Sequence, residues 1–135
     1  GLSYRELDVE GHPFIFPTTT PTQFDPMAMR SSVERLLALQ PEAVYLTHYS
    51  RLVDVAARGV ELLGHLDRLV AIAEAEAGSG SERHARIKAA MTEYLLTAIR
   101  GHGCTLSESN LLDIWETDLE LNAQGLVVWL DSRPA

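Results

Sequence analysis

The sequence predicts a helix-rich α/β fold, and three observations carry that reading. An amphipathic run closed by Pro41 is followed at once by Ala43–His48, an apolar, β-branched and aromatic stretch of strand length. Helix, short turn and buried strand is the order from which α/β frameworks are built. Beyond that strand, apolar residues recur at three- and four-residue spacing in further segments set apart by Gly78-Ser79-Gly80 and Gly101-His102-Gly103. The front of the chain has a different texture, with Pro13, Pro17, Pro21 and Pro26 around the triplet Thr18-Thr19-Thr20. Such a composition forms an ordered loop and not a helix.

Taken in order, Phe14-Ile15-Phe16 lies between prolines and is too short for a helix, so it reads as a buried extended strip. Asp25 caps a first helix with Pro26 at its first position and Met29, Val33, Leu36 and Leu37 on one face, running to about Leu39. Ala43–His48 is the one clear strand, and its backbone donors and acceptors require neighbours. Asp54 opens a second helix with Val55, Leu62, Leu66, Leu69 and Ala73 in a stripe that Val60, Leu63 and Val70 widen. Ser81 is placed to cap a third helix carrying Ile87, Met91, Tyr94, Leu95 and Ile99, which the glycines at 101 and 103 end. Ser107 begins a fourth with Leu111, Leu112, Trp115 and Leu119; from Leu121 to Leu130 it either continues or restarts past Gly125. The expected division is residues 1–75, holding loop, helix, strand and helix, and residues 81–135, a helical extension.

Bulk properties narrow the function. The chain has 135 residues, 46% hydrophobic and 22% charged, which is ordinary globular composition on the scale of one domain. Eleven Lys and Arg against nineteen Asp and Glu give a formal net charge of −8, and no basic cluster offers a phosphate backbone a landing place, so nucleic acid is not an expected partner. No apolar run reaches the roughly 18 residues that would span a bilayer, and no membrane partner is expected. A single cysteine, Cys104, excludes an intrachain disulfide and fits a reducing, cytoplasmic setting.

Chemistry-bearing motifs are few. The chain has no glycine-rich phosphate loop, no Gly-x-Ser-x-Gly elbow and no His-Glu-x-x-His helix. Cys104, between Gly103 and Thr105, reads as a small residue in a helix connection. His48 ends the clear strand, the position at which open α/β frameworks present ligand-binding groups. Spacing alone leaves two equal readings, a hydrogen-bonded structural histidine and a functional one. His65 and His84 fall within helices among charged residues and read as solvated; His102 sits between helix-ending glycines, and His12 precedes a proline.

The order of these segments carries a resemblance. Pro17-Thr18-Thr19-Thr20-Pro21-Thr22-Gln23-Phe24-Asp25-Pro26, then Ser32-Val33-Glu34-Arg35-Leu36-Leu37, then Tyr45-Leu46-Thr47-His48-Tyr49 resemble the C-terminal half of metallo-β-lactamase-fold hydrolases of the glyoxalase-II-like kind. The opening Gly1–Asp8 and the closing Leu121–Leu126 with Trp129-Leu130 resemble one bacterial branch of it. The likeness implies the second half of an αβ/βα sandwich whose last three helices form an extension. It implies two metal ions, usually zinc, and His48 matches the last histidine ligand of that family. The family's His-x-His-x-Asp-His motif does not occur here, and its bridging aspartate is expected just upstream of Gly1. Ser50 stands where the family commonly shows glycine, which bears on the turn after His48.

A catalytic zinc takes about three protein ligands and an open position where bound water ionises near pH 7. His48 cannot supply that alone, so the chain is expected to bind no zinc pair tightly and to be inactive in isolation. The resemblance implies a metal-bound hydroxide attacking an ester, thioester, lactam or similar bond in the complete enzyme. Substrate contacts are expected from the loop around Thr18 to Asp25, with Thr19 and Thr20 as candidates, and from Tyr49. The expected partners are the missing N-terminal half of the domain and, in the isolated chain, other copies of itself through exposed apolar surface. The competing reading is a non-catalytic helical interaction module, since the segments from Asp54 onward can build a helical core without the first 50 residues.

Overall fold

In the computed structural model, residues 1–49 and 51–134 are described. The protein is a helix-rich α/β chain with the elements α1 (Pro26–Ala38), β1 (Val44–Tyr45), β2 (Arg51–Leu52), α2 (Val55–Ala75), α3 (Arg83–Gly101) and α4 (Glu108–Ser132). Single 3₁₀ turns lie at Arg5–Leu7 and Gly80–Glu82. The residues group into two compact units, Gly1–Pro17 with Asp25–Arg68, and Thr18–Phe24 with Leu69–Ala135. That division falls inside α2 and not at the Gly78–Gly80 break, and it assigns the Thr/Pro segment 18–24 to the second unit.

The first unit is built around extended chain near its start. Leu2 and Phe16 exchange both backbone hydrogen bonds, at 2.9 and 3.1 Å, so the Phe14-Ile15-Phe16 strip is buried and paired. Val9 and His12 close a tight hairpin in which Glu10 and Gly11 both take positive φ, the conformation a two-residue turn demands and glycine supplies readily. Ser3, buried, donates its hydroxyl to the Phe14 carbonyl at 2.7 Å. The Phe14 ring also lies 5.2 Å from the His65 imidazole, so His65 packs against an aromatic side chain and is not simply solvated.

α1 begins as its sequence dictates, with the Asp25 carboxylate accepting from the Ala28 N–H at 3.0 Å and Pro26 at the first position. None of its thirteen residues is buried, and Met27 and Leu39 are each about 80% exposed. Val33 is partly buried against a small cluster of Ile15, Leu52 and Leu62, which Val44 and Leu46 also join.

The strand differs from the expected Ala43–His48. Only Val44–Tyr45 pairs, antiparallel with Arg51–Leu52, in the register Val44 to Leu52 and Tyr45 to Arg51. The chain reverses at Thr47 and His48, so the run that reads as one long buried strand is one arm of a hairpin and its turn. Leu46 packs on the apolar cluster but stands outside the ladder, and Tyr45 is exposed. An apolar run of this length reads alike for a buried strand and for a strand with a packed turn residue. Ser50 lies outside the described residues.

α2 buries Val55, Leu62, Leu66, Leu69, Ile72 and Ala73 as its stripe predicts. Val60, expected to widen the stripe, is 69% exposed instead. The second unit centres on α3 against α4. Ile87, Met91, Leu95 and Ile99 form one fully buried face of α3, and Leu111, Trp115, Leu119, Ala123 and Leu126 form the buried face of α4. Ser81 does not cap α3, because Gly80–Glu82 turns as a 3₁₀ segment and the helix starts at Arg83 without a side-chain cap. α3 closes with Gly103 at positive φ; the Gly103 N–H bonds the Arg100 carbonyl, and the Cys104 N–H bonds that of Ile99. Cys104 is buried in this connection, as the sequence indicates.

α4 is capped by Ser107, which accepts from the Asn110 N–H, and it runs unbroken through Gly125. The reason for the glycine is local. A Cβ at position 125 would lie 1.5 Å from the Thr19 carbonyl oxygen, so only a residue without a side chain lets the Thr18–Phe24 segment reach the helix. Thr19 is held there by two bonds to Asn122, its N–H to Oδ1 at 2.8 Å and its hydroxyl to the Asn122 carbonyl at 2.9 Å. Phe24 meets the Trp129 ring edge-on at 6.2 Å and completes the docking of the segment.

Candidate active site

His48 stands in the β1–β2 turn of the first unit, exposed to solvent. The turn and the opening residues of the chain line one open cavity of about 540 Å3, formed by Ser3, Tyr4, Arg5, Thr47, His48 and Tyr49. The opening segment is fixed by the Leu2–Phe16 bridge, the turn by the β1–β2 pairing, and a side-chain bond ties one to the other. The Tyr49 hydroxyl donates to Asp8 Oδ2 at 3.1 Å, while Asp8 Oδ1 accepts the Gly11 N–H at 2.7 Å. Asp8 thereby clasps its own tight turn and the residue next to His48. Burial raises the Tyr49 phenol above its ordinary range, the bond to Asp8 and that carboxylate's charge add to the rise, and the Arg5 guanidinium opposes it.

The polar groups around this cavity divide into two sets. Ser3 and Tyr49 spend their hydroxyl protons within the fold, on Phe14 and Asp8. The side chains of Arg5, Thr47 and His48 make no hydrogen bond or ion pair with another described residue. A single imidazole offers one ligand nitrogen, and among the described residues no group of three or more His, Cys, Asp or Glu side chains is disposed to hold a metal ion.

The sequence-derived candidates do not form one cluster. His48 and Tyr49 are neighbours in the turn of the first unit. Thr19 and Thr20 belong to the second, where Thr19 is fully buried with its N–H and hydroxyl both committed to Asn122, and Thr20 is half-buried. The Thr19 hydroxyl has a packing role that its place in a Thr/Pro loop does not reveal. Arg5 and Thr47 escaped the sequence reading. The available signal for Arg5 was that it is the only Lys or Arg in the first 25 residues, in a chain of net charge −8.

The second unit carries a separate polar cluster. Glu120 accepts from Lys88 at 2.7 Å and from Gln124 at 2.7 Å, and its other carboxylate contact is His84 Nε2 at 3.1 Å. The Lys88 and Gln124 hydrogen bonds lower the Glu120 carboxyl to about 2. His84 thus lies beside a glutamate across α3 and α4. The cluster ties the exposed sides of these helices together.

No protein-family model matches the chain, and neither a curated protein nor a solved structure matches it. Among the described residues, no helix is long and apolar enough to cross a membrane.

Proposed function

We propose that this chain supplies one metal ligand, His48, and part of the wall of the active site of a metal-dependent hydrolase of the metallo-β-lactamase kind. The remaining ligands come from another stretch of polypeptide that completes the sheet beside β1. One observation carries this reading: the imidazole of His48 is exposed at the tip of a hairpin, without a protein partner among the described residues, on a cavity walled by the opening segment of the chain. The thin cover of the first unit supports a completing segment, because Met27, Leu36, Leu39 and Tyr45 are left in water around a core cluster whose members Val33, Val44 and Leu46 are only partly buried. In the completed enzyme the metal would supply a water that ionises near neutral pH, for hydrolysis of an ester, thioester, lactam or similar bond.

The test begins with the codons preceding Gly1. An Asp-Thr immediately before it and a His-x-His-x-Asp-His farther back are expected. The chain joined to that segment should hold two equivalents of zinc through dialysis, and His48→Ala should lose one. A start codon directly before Gly1, or two equivalents of tightly held zinc on the 135-residue chain alone, would sink the reading.

A further inference from the structure

The first unit holds a second cavity, which shares no lining residue with the one beside His48. It measures about 130 Å3 and lies between α1, the β1–β2 hairpin and α2, with Ile15, Val44, Leu52, Val55 and Leu62 among its walls. Leu36 and Gly1, both exposed, also line it and give a small molecule a way in. Protein interiors are close-packed and hold few voids larger than a water molecule, so an apolar void of this size has room for an occupant. Among the described residues, Arg58 is the one polar side chain in the lining. Its Nη1 pairs with Glu61 at 2.7 Å, and the side chain is only 12% exposed. Its Nε is buried and has no hydrogen-bond partner among the described residues, a costly state for a donor. Arg83 Nε is also buried without a partner, but Arg83 lines no part of this void. At Arg58 the orphaned donor and the apolar void occur together.

We propose that this cavity binds a small, neutral, largely apolar molecule with one hydrogen-bond acceptor, such as a ketone or ester carbonyl, which takes the Arg58 Nε–H. Its size is about six heavy atoms, since an apolar cavity of about 150 Å3 holds benzene. The acceptor is uncharged because Glu61 already balances the guanidinium, and an anion would bring a second, uncompensated charge against an apolar wall. A pure hydrocarbon would fill the space and leave the Nε–H unpaired. Water is a poor occupant, because it needs two to four polar partners and the lining offers one polar side chain. The site does not depend on the hydrolase reading, on which zinc content reports separately.

The test titrates the chain as it is with cyclopentanone, cyclopentane and butyrate, following the Arg58 Nε–Hε and the Val44 and Leu62 methyl resonances by NMR. Cyclopentanone is expected to give a saturable shift at all three residues. Cyclopentane should shift the methyls alone and bind several-fold more weakly, and butyrate should bind about tenfold more weakly than the ketone or not at all. Arg58→Met keeps the apolar stem and removes the donor, so cyclopentanone should fall to the affinity of cyclopentane. Val33→Leu with Val44→Leu fills the void and should weaken cyclopentanone binding about tenfold or more. The proposal is overturned by the absence of any saturable shift, by methyls that saturate while the Nε–Hε stays still, or by butyrate binding tighter than cyclopentanone. A filled variant that folds and binds undiminished would also overturn it. So would loss of the cyclopentanone shift when the chain is joined to the segment proposed to complete its sheet, because the void would then belong to polypeptide. If the filled variant fails to fold, the three titrations of the unaltered chain still decide the matter.

Discussion

Among the described residues, six of the eight large hydrophobic side chains left exposed lie in the first unit: Met27, Leu36, Leu39, Tyr45, Val53 and Val60. The second unit leaves only Leu121 and Val128, both below 40% exposure, while its α3 stripe and Trp115 are fully sealed. The two regions are made of similar residues. They differ in whether each apolar face has a neighbour. α3 and α4 supply each other with a complementary stripe, as paired amphipathic helices do. In the first unit a two-stranded hairpin and α1 bring apolar faces that nothing in the described chain fully covers. A two-stranded sheet is marginal by itself, and this one persists through the α2 stripe and the Phe14–Phe16 strip beside it. One region is thus a finished core and the other an open one.

Truncation of paired residues should expose the contrast most strongly. Trp115→Ala, in the sealed core, should cost about 3 to 5 kcal/mol in urea unfolding, whereas Leu39→Ala on α1 should stay within about 0.5 kcal/mol. Equal losses would break the comparison. Next in size is Gly125→Ala, which forces the Thr19 carbonyl off α4 and disturbs both bonds to Asn122. A loss of about 2 to 3 kcal/mol is expected despite alanine's better helix propensity, and a gain in stability would show that the segment is not docked.

Association comes third. The chain should self-associate as protein concentration rises, and Met27→Lys with Leu39→Lys should shift it toward monomer in light scattering, while Leu121→Lys should leave it unchanged. A clean monomer at high concentration would count against an open first unit. The smallest effects lie at the two ends of the pH scale. In the second unit Glu120 titrates lower in the folded chain than in the unfolded one, so its contribution is present above about pH 4.5 and fades as the pH falls toward about 2. Glu120→Gln should flatten the acid limb of stability. In the first unit Tyr49 titrates higher when folded, so its contribution is complete below pH 10 and is lost as the pH rises beyond it. Asp8→Asn should bring one tyrosinate absorbance step back toward pH 10, and an unmoved step would remove Asp8 from that account.

The four helices were legible because their stripes repeat over several turns and their ends are marked by Asp25, Ser107 and Gly103. The hairpin was not, since Ala43–His48 is too short for periodicity to separate a strand from a strand with its turn, and Arg51–Leu52 offers two residues without pattern. Gly125 reads as a possible break until the Thr19 carbonyl beside it is known, and that approach spans most of the sequence. Of the candidate site, His48 stood out by its place after an apolar run. Arg5 did not, because an unpaired arginine is recognised only when its surroundings are visible. The same limit hid the burial of Thr19, whose partner is remote in the chain.

That partner bond has a kinetic meaning. Thr19 and Asn122 are 103 residues apart, and their contact closes a ring of chain that contains α1, the hairpin, α2 and α3. α3 and α4 meet across a short connection and can assemble early, whereas closing so long a ring has a high entropic cost until its ends are already structured. The docking of residues 18–24 is therefore expected to be a late event in folding. Truncation before Asn122 would release that strap while leaving the early part of the α3–α4 pair able to form.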